Sequence, residues 1–191
     1  WADVGAVTYA EQKPGERAGV AAGVTPKSQD ARRLAENGCR VLVPMLINRQ
    51  LQKRNGRANL TNREYLYRSA FELGRHPIGY EIQTVLAGVD WLQRSAKADG
   101  WPRRTAMVGY GEGGMLGLYA GALDQRCDVV VVSGYFDDRR EIWRQCVDRN
   151  VFGLLRGFRD AALAAMVPPQ PLLVEYSRYA TGTLPRHCAR R

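Results

Sequence analysis

Long apolar runs are missing from this chain. No stretch approaches the roughly 18 uninterrupted apolar residues that a membrane helix needs, and the opening WADVGAVTYAEQ lacks the basic-then-apolar pattern of a signal peptide. A soluble chain with no membrane partner is expected, its compartment unassigned. Histidine is scarce, with only His76 and His187, and the four cysteines, Cys39, Cys127, Cys146 and Cys188, lie far apart with no C-x-x-C spacing. That argues against a metal site. Cys39 and Cys127 each adjoin an apolar run, where a small buried thiol is the expectation, and disulfide pairing stays open.

What is present fits one ordinary domain over residues 1–191. The chain is 45% hydrophobic and 25% charged, the balance of a globular protein with a real core. The first residue is Trp1 rather than Met, which fits a fragment or processed product. The net charge of +9 raises the question of a nucleic-acid or anionic-polymer partner. The densest basic stretch runs from Arg49 to Arg68, with Lys53, Arg54, Arg57, Tyr65 and Tyr67. Tyrosines among cations can stack bases, but no recognisable nucleic-acid module surrounds them. A solvated loop is the simpler reading.

Strands and helices alternate in the pattern. Val4 to Tyr9 reads as a strand; Thr25 and Pro26 read as the start of a helix whose buried stripe is Ala31, Leu34 and Ala35, stopped by Asn37 and Gly38. RVLVPML, Arg40 to Leu46, is an unbroken apolar run of strand length, as in a parallel sheet. From Pro77 to Gln93 the residues Ile78, Ile82, Val85, Leu86, Val89 and Leu92 recur at helical spacing, with Glu81, Gln83 and Arg94 on other faces. TAMV, a helix from about Glu112, DVVVV, the segment FRDAALAAMVPPQ and PLLVEY continue the alternation. This predicts an α/β fold with a doubly wound, mostly parallel sheet. The stretch from Ile47 to Arg75 is too long for an ordinary connection and is a candidate functional surface. Tyr135, Asp137, Asp138 and Trp143 follow DVVVV at the carboxyl edge of the sheet, where ligands bind in open parallel sheets.

The informative stretch is GYGEGG, between TAMV and the helix that follows. Gly109, Gly111 and Gly114 satisfy G-x-G-x-x-G in the strand-then-helix context of a dinucleotide site. Glu112 would put a carboxylate where the pyrophosphate belongs, and the next strand ends in Ser133 rather than an acid, which weighs against that reading. The other frame is G-x-S-x-G, the turn that pushes a nucleophilic serine into a pocket. In that frame the serine position is Gly111.

The segment VGYGEGGMLGLYAGALDQRCDVVVVSGYF resembles the elbow, helix and next strand of α/β-hydrolase-fold esterases, in particular the acetyl xylan esterase and dienelactone hydrolase-like group. ARRLAENGCRVLVPMLINR and FELGRHPIGYEIQTVLAGVDWL are similar to the units that precede the elbow there, so the resemblance spans Val4 to Tyr176. It implies a sheet with the elbow after its central strand, ester hydrolysis through an acyl-enzyme, a small ester or acetylated carbohydrate as ligand, and no cofactor. The implied nucleophile position is Gly111, which has no side chain to attack with. The implied oxyanion donors are the backbone of Glu112 and the loop around Ala10 to Gln12. The family acid and histidine come later, and after Tyr176 only SRYATGTLPRHCARR remains, too short for another crossover and strand. His187 serves as base only if this tail, residues 177–191, folds back over the sheet edge; otherwise it is a flexible terminus. The resemblance therefore implies a fold lacking its first strands and its last strand, and an open sheet edge that would favour a homo-oligomer.

Three functions remain in view: a non-catalytic hydrolase-fold module, a hydrolase with a displaced nucleophile, and a polymer binder through Arg49 to Arg68. For the second, Glu112, Ser133, Asp137 and His187 are the available groups, with Glu112 activating water if its pocket raised its pKa. Against that, Glu112 reads as an exposed first-turn acid favoured by the helix dipole. Asp137 and Asp138 read as a solvated pair with Arg139 and Arg140, and His76 as a helix cap.

Overall fold

The computed structural model describes residues 30–54, 58–102, 104–136, 139–140 and 142–176. The expected strand Val4–Tyr9, the helix start at Thr25 and Pro26, the loop Ala10–Gln12, Asp137, Asp138, and the tail with His187 lie outside these residues.

Among the described residues the core is a three-stranded parallel sheet in the order β3 (Ala106–Tyr110), β4 (Val129–Ser133), β5 (Leu172–Glu175). β4 is four valines and a serine, β-branched residues that suit a central strand. Its alternate side chains Val130 and Val132 are fully buried. Helix α4 (Glu112–Leu123) crosses between β3 and β4 and is buried along most of its length, against both strands, helix α3 (Pro77–Asp99) and helix α6 (Asp160–Met166). Close approach explains its small residues: a Cβ at Gly121 would meet Val130 Cγ2 at 2.8 Å. Leu163 and Val167 complete the same core. On the other side of the sheet Val108 and Leu173 remain more than half exposed, so among the described residues the burial is one-sided.

Local signals held well where they were strong. α3 starts at Pro77 behind His76, whose Nδ1 accepts the Ile78 N–H at 3.1 Å, and ends at Gly100 in the left-handed region, φ 70°. It runs past Gln93 to Asp99. Helix α1 (Asp30–Glu36) stops as expected before Gly38, φ 81°. Its stripe does not form a core, since the helix has no buried residue and Leu34 is exposed.

Two readings fail. Arg40–Leu46 forms no strand: residues 39–50 have no regular secondary structure. Pro44 cannot donate to a ladder, and the apolar groups go elsewhere, Leu46 onto the main core, Leu42 toward α3 at Gly88, and Met45 into solvent. An apolar run reports burial and not its partner. The Arg49–Arg68 stretch read as a solvated loop instead lies in an antiparallel hairpin, β1 (Leu51–Arg54) with β2 (Ala58–Thr61), and in helix α2 (Asn62–Glu72), capped by Thr61 Oγ1 accepting the Glu64 N–H at 3.0 Å. Past β4 come two 3-10 turns, Ile142–Arg144 and Val147–Arg149, and the short α5 (Leu154–Gly157).

Candidate functional site: the turn between β3 and α4

The glycines of GYGEGG are required by space and backbone. A Cβ at Gly109 would lie 2.0 Å from the Gly113 carbonyl oxygen, so the strand cannot turn into the helix this tightly with any side chain there. Gly111 takes φ 54° and ψ −117°, a conformation glycine adopts without the penalty other residues bear. Its N–H donates to the Ser133 carbonyl at 2.9 Å, and its own carbonyl accepts the Met115 N–H at 3.1 Å, opening the helix. The geometry is that of a sharp strand-to-helix elbow at the carboxyl ends of β3 and β4, without a side chain at its apex.

Glu112, the next residue, is not the exposed first-turn acid the sequence suggested; its side chain is only 4% exposed. Three guanidiniums from three separate segments converge on its carboxylate: Arg49 Nη2 at 2.8 Å, Arg63 Nη2 at 3.1 Å, and Arg149 Nη2 at 3.3 Å. Arg63 is the centre of the cluster. From α2, 1% exposed, it also donates through Nε to Asp148 Oδ2 at 2.7 Å and through Nη2 to Glu81 Oε2 at 2.6 Å. Arg49 reaches Asp148 as well, at 2.8 Å. Glu81 Oε1 accepts the Ile47 N–H at 3.1 Å, which fixes the irregular segment ahead of β1. Among the described residues, the three cations Arg49, Arg63 and Arg149 thus balance the three carboxylates Glu81, Glu112 and Asp148.

The electrostatics follow from that packing. Burial pushes the Glu112 carboxyl up, but Arg63, Arg49 and Arg149 outweigh it and hold it down at about 2. Burial pulls the Arg63 guanidinium down, and its bonds to Glu81 with the charges of Glu112 and Asp148 raise it above its ordinary value. His76 shifts the other way: burial and the nearby Arg63 keep it neutral to lower pH, against a contact with the Asn150 carbonyl at 3.2 Å.

The remaining candidates are dispersed. Ser133 Oγ donates to Glu175 Oε2 at 2.7 Å at the ends of β4 and β5, an exposed pair. The Tyr135 hydroxyl donates to Asp160 Oδ1 at 3.1 Å and accepts from Arg139 Nη1 at 3.0 Å, which ties the segment after β4 to α6. Arg139 is buried and not part of a solvated loop. Trp143 is largely exposed. Within the basic stretch, Arg49 and Arg63 turn inward, and Arg68 pairs with Glu64 on its own helix at 2.8 Å. Beside the cluster lies an open, mostly apolar groove between Met45, Ile47, Tyr65 and Leu66. Among the described residues no group of His, Cys, Asp and Glu forms a metal-ligating cluster.

Arg63, Glu81, Asp148 and Arg149 were missed as site residues. For Glu81, read above as lying on another face of the helix, a signal existed against that reading: it stands three residues from Ile78 and four from Val85, on the apolar stripe, and it is buried. An acid there must be paired. Asp148 and Arg149 carry no comparable local pattern.

No family model, no curated protein and no solved structure matches this chain.

Proposed function

We propose that this chain is an α/β-hydrolase-fold protein without hydrolase chemistry, retained as a binding or packing module for a small ester or acetylated carbohydrate. One observation carries the reading: at the elbow where a hydrolase would present its serine stands Gly111, and the carboxylate beside it is held by three guanidiniums.

Hydrolysis by a Glu112-activated water fits this geometry poorly. A general base works best with a pKa near the operating pH, and a carboxyl held at about 2 has little affinity for the proton it would take. Polymer binding through Arg49 to Arg68 loses cations to internal pairs at Arg49, Arg63 and Arg68.

The test is hydrolysis of p-nitrophenyl acetate by the purified chain beside Gly111→Ser and Glu112→Gln. The unmodified chain is expected to stay at the background rate. Turnover at purified-enzyme rates that disappears in Glu112→Gln would overturn the proposal.

A further inference from the structure

His76 uses both of its ring nitrogens. Nδ1 accepts the Ile78 N–H at 3.1 Å and so caps α3, while Nε2 lies 3.2 Å from the Asn150 carbonyl, just past the turn Val147–Arg149. A nitrogen that accepts carries no proton, and one that meets a carbonyl oxygen must carry one. Together the two contacts specify the neutral ring protonated on Nε2. We propose that His76 is a pH-operated fastener: as a neutral imidazole it joins the first turn of α3 to the segment carrying Asp148 and Arg149, and on protonation it releases that turn and loosens the ionic cluster beside the elbow.

Protonation reverses the first contact. The imidazolium carries a hydrogen on each nitrogen, so Nδ1 then meets the Ile78 N–H donor to donor, and a positive charge sits at a helix N-terminus, where the dipole opposes cations. The bond to Asn150 survives and the cap does not. The effect reaches the cluster through α3 itself. Glu81, at the start of the second turn, accepts from Arg63 Nη2 through Oε2 at 2.6 Å and from the Ile47 N–H through Oε1 at 3.1 Å. A frayed first turn weakens both bonds.

The surroundings decide which form the fold favours. His76 is half-buried. α2 presents Arg63 and the ring of Tyr67, T-shaped to the imidazole with centroids 5.2 Å apart, and the turn Val147–Arg149 presents Asp148. Of the other charges close by, Glu81 on its own helix is paired with Arg63, and Arg149 with Glu112. Burial and the Arg63 charge disfavour the cation and outweigh Asp148 and the Asn150 carbonyl, which lowers the histidine from its ordinary 6.5. The neutral ring's contribution is therefore complete above pH 6.5 and is lost as pH falls below it. None of this depends on whether the elbow binds an ester.

The test is a nitrogen NMR titration of the imidazole in the full chain carrying His187→Gln, which leaves His76 as the sole histidine, with urea midpoints taken from pH 7.5 to pH 5.5. At pH 7.5 the Nδ1 signal should be that of an unprotonated nitrogen, the ring should titrate below 6.5, and the urea midpoint should fall as it does. His76→Asn keeps a capping oxygen without a titrating ring, and its midpoint should stay level over the same range. His76→Ala should lower the folded-to-unfolded ratio about fivefold at pH 7.5, the typical worth of a cap. A ring protonated on Nδ1 at pH 7.5, a titration at or above 6.5, or a midpoint that falls in parallel in His76→Asn would overturn the inference.

Discussion

Two arginines in this molecule make similar bonds and do different things. Arg63 is 1% exposed and holds Glu81, Glu112 and Asp148, which lie 18 to 85 residues away in sequence. Arg126 is 43% exposed and holds Asp124, with Nε 2.9 Å from Oδ1, and Asp90 across the surface of α3. Around Arg63 water is excluded, so each charge depends on its partners. Around Arg126 water replaces whatever partner is removed. Contact lists alone would rank the two alike; burial separates them.

The comparison breaks most directly at Arg63. Arg63→Met leaves three buried carboxylates with Arg49 and Arg149 alone, and should cost about 3 to 5 kcal/mol of stability, read as a shift in the urea midpoint. A loss within the range of a surface pair would show that water reaches the cluster.

Acid should dissolve the cluster next. The folded Glu112 pKa of about 2 lies below its ordinary 4.5. Its contribution is therefore complete above pH 4.5 and disappears as pH falls toward 2. A shift of that size corresponds to about 3 kcal/mol. Urea midpoints measured from pH 6 to pH 2 should fall steeply for the unmodified chain and less steeply for Glu112→Gln, which begins lower. Parallel curves would mean that Glu112 is not held by its arginines.

Gly111→Ser should cost about 1 to 3 kcal/mol, because a side chain must adopt φ 54° where glycine is at ease. Thermal melts of the two proteins, with the esterase assay alongside, check it. Equal melting temperatures would show that the turn is not strained.

The smallest effect belongs to Arg126→Ala. A change of about 1 kcal/mol or less, shrinking further in 1 M salt, is expected from an exposed pair. A salt-independent loss as large as that of Arg63→Met would erase the distinction between the two sites.

Sequence by itself determined the parts whose causes are local. Four consecutive valines marked the strand β4, GYGEGG marked the turn and the start of α4, and the His76-Pro77 pair marked the start of α3. Caps, glycine dihedrals and apolar periodicity act over a few residues, so they can be read without a partner. Only the tertiary structure decided that Arg40–Leu46 is not a strand, that the Ile47–Arg75 stretch is a hairpin and a helix, and that Glu112 is buried. It also brought Arg49, Arg63 and Arg149 around the Glu112 carboxylate, with Glu81 and Asp148 paired to the same arginines. A charge enters the interior when opposite charges from distant segments meet it there, and that meeting is a property of the folded chain rather than of any window along it.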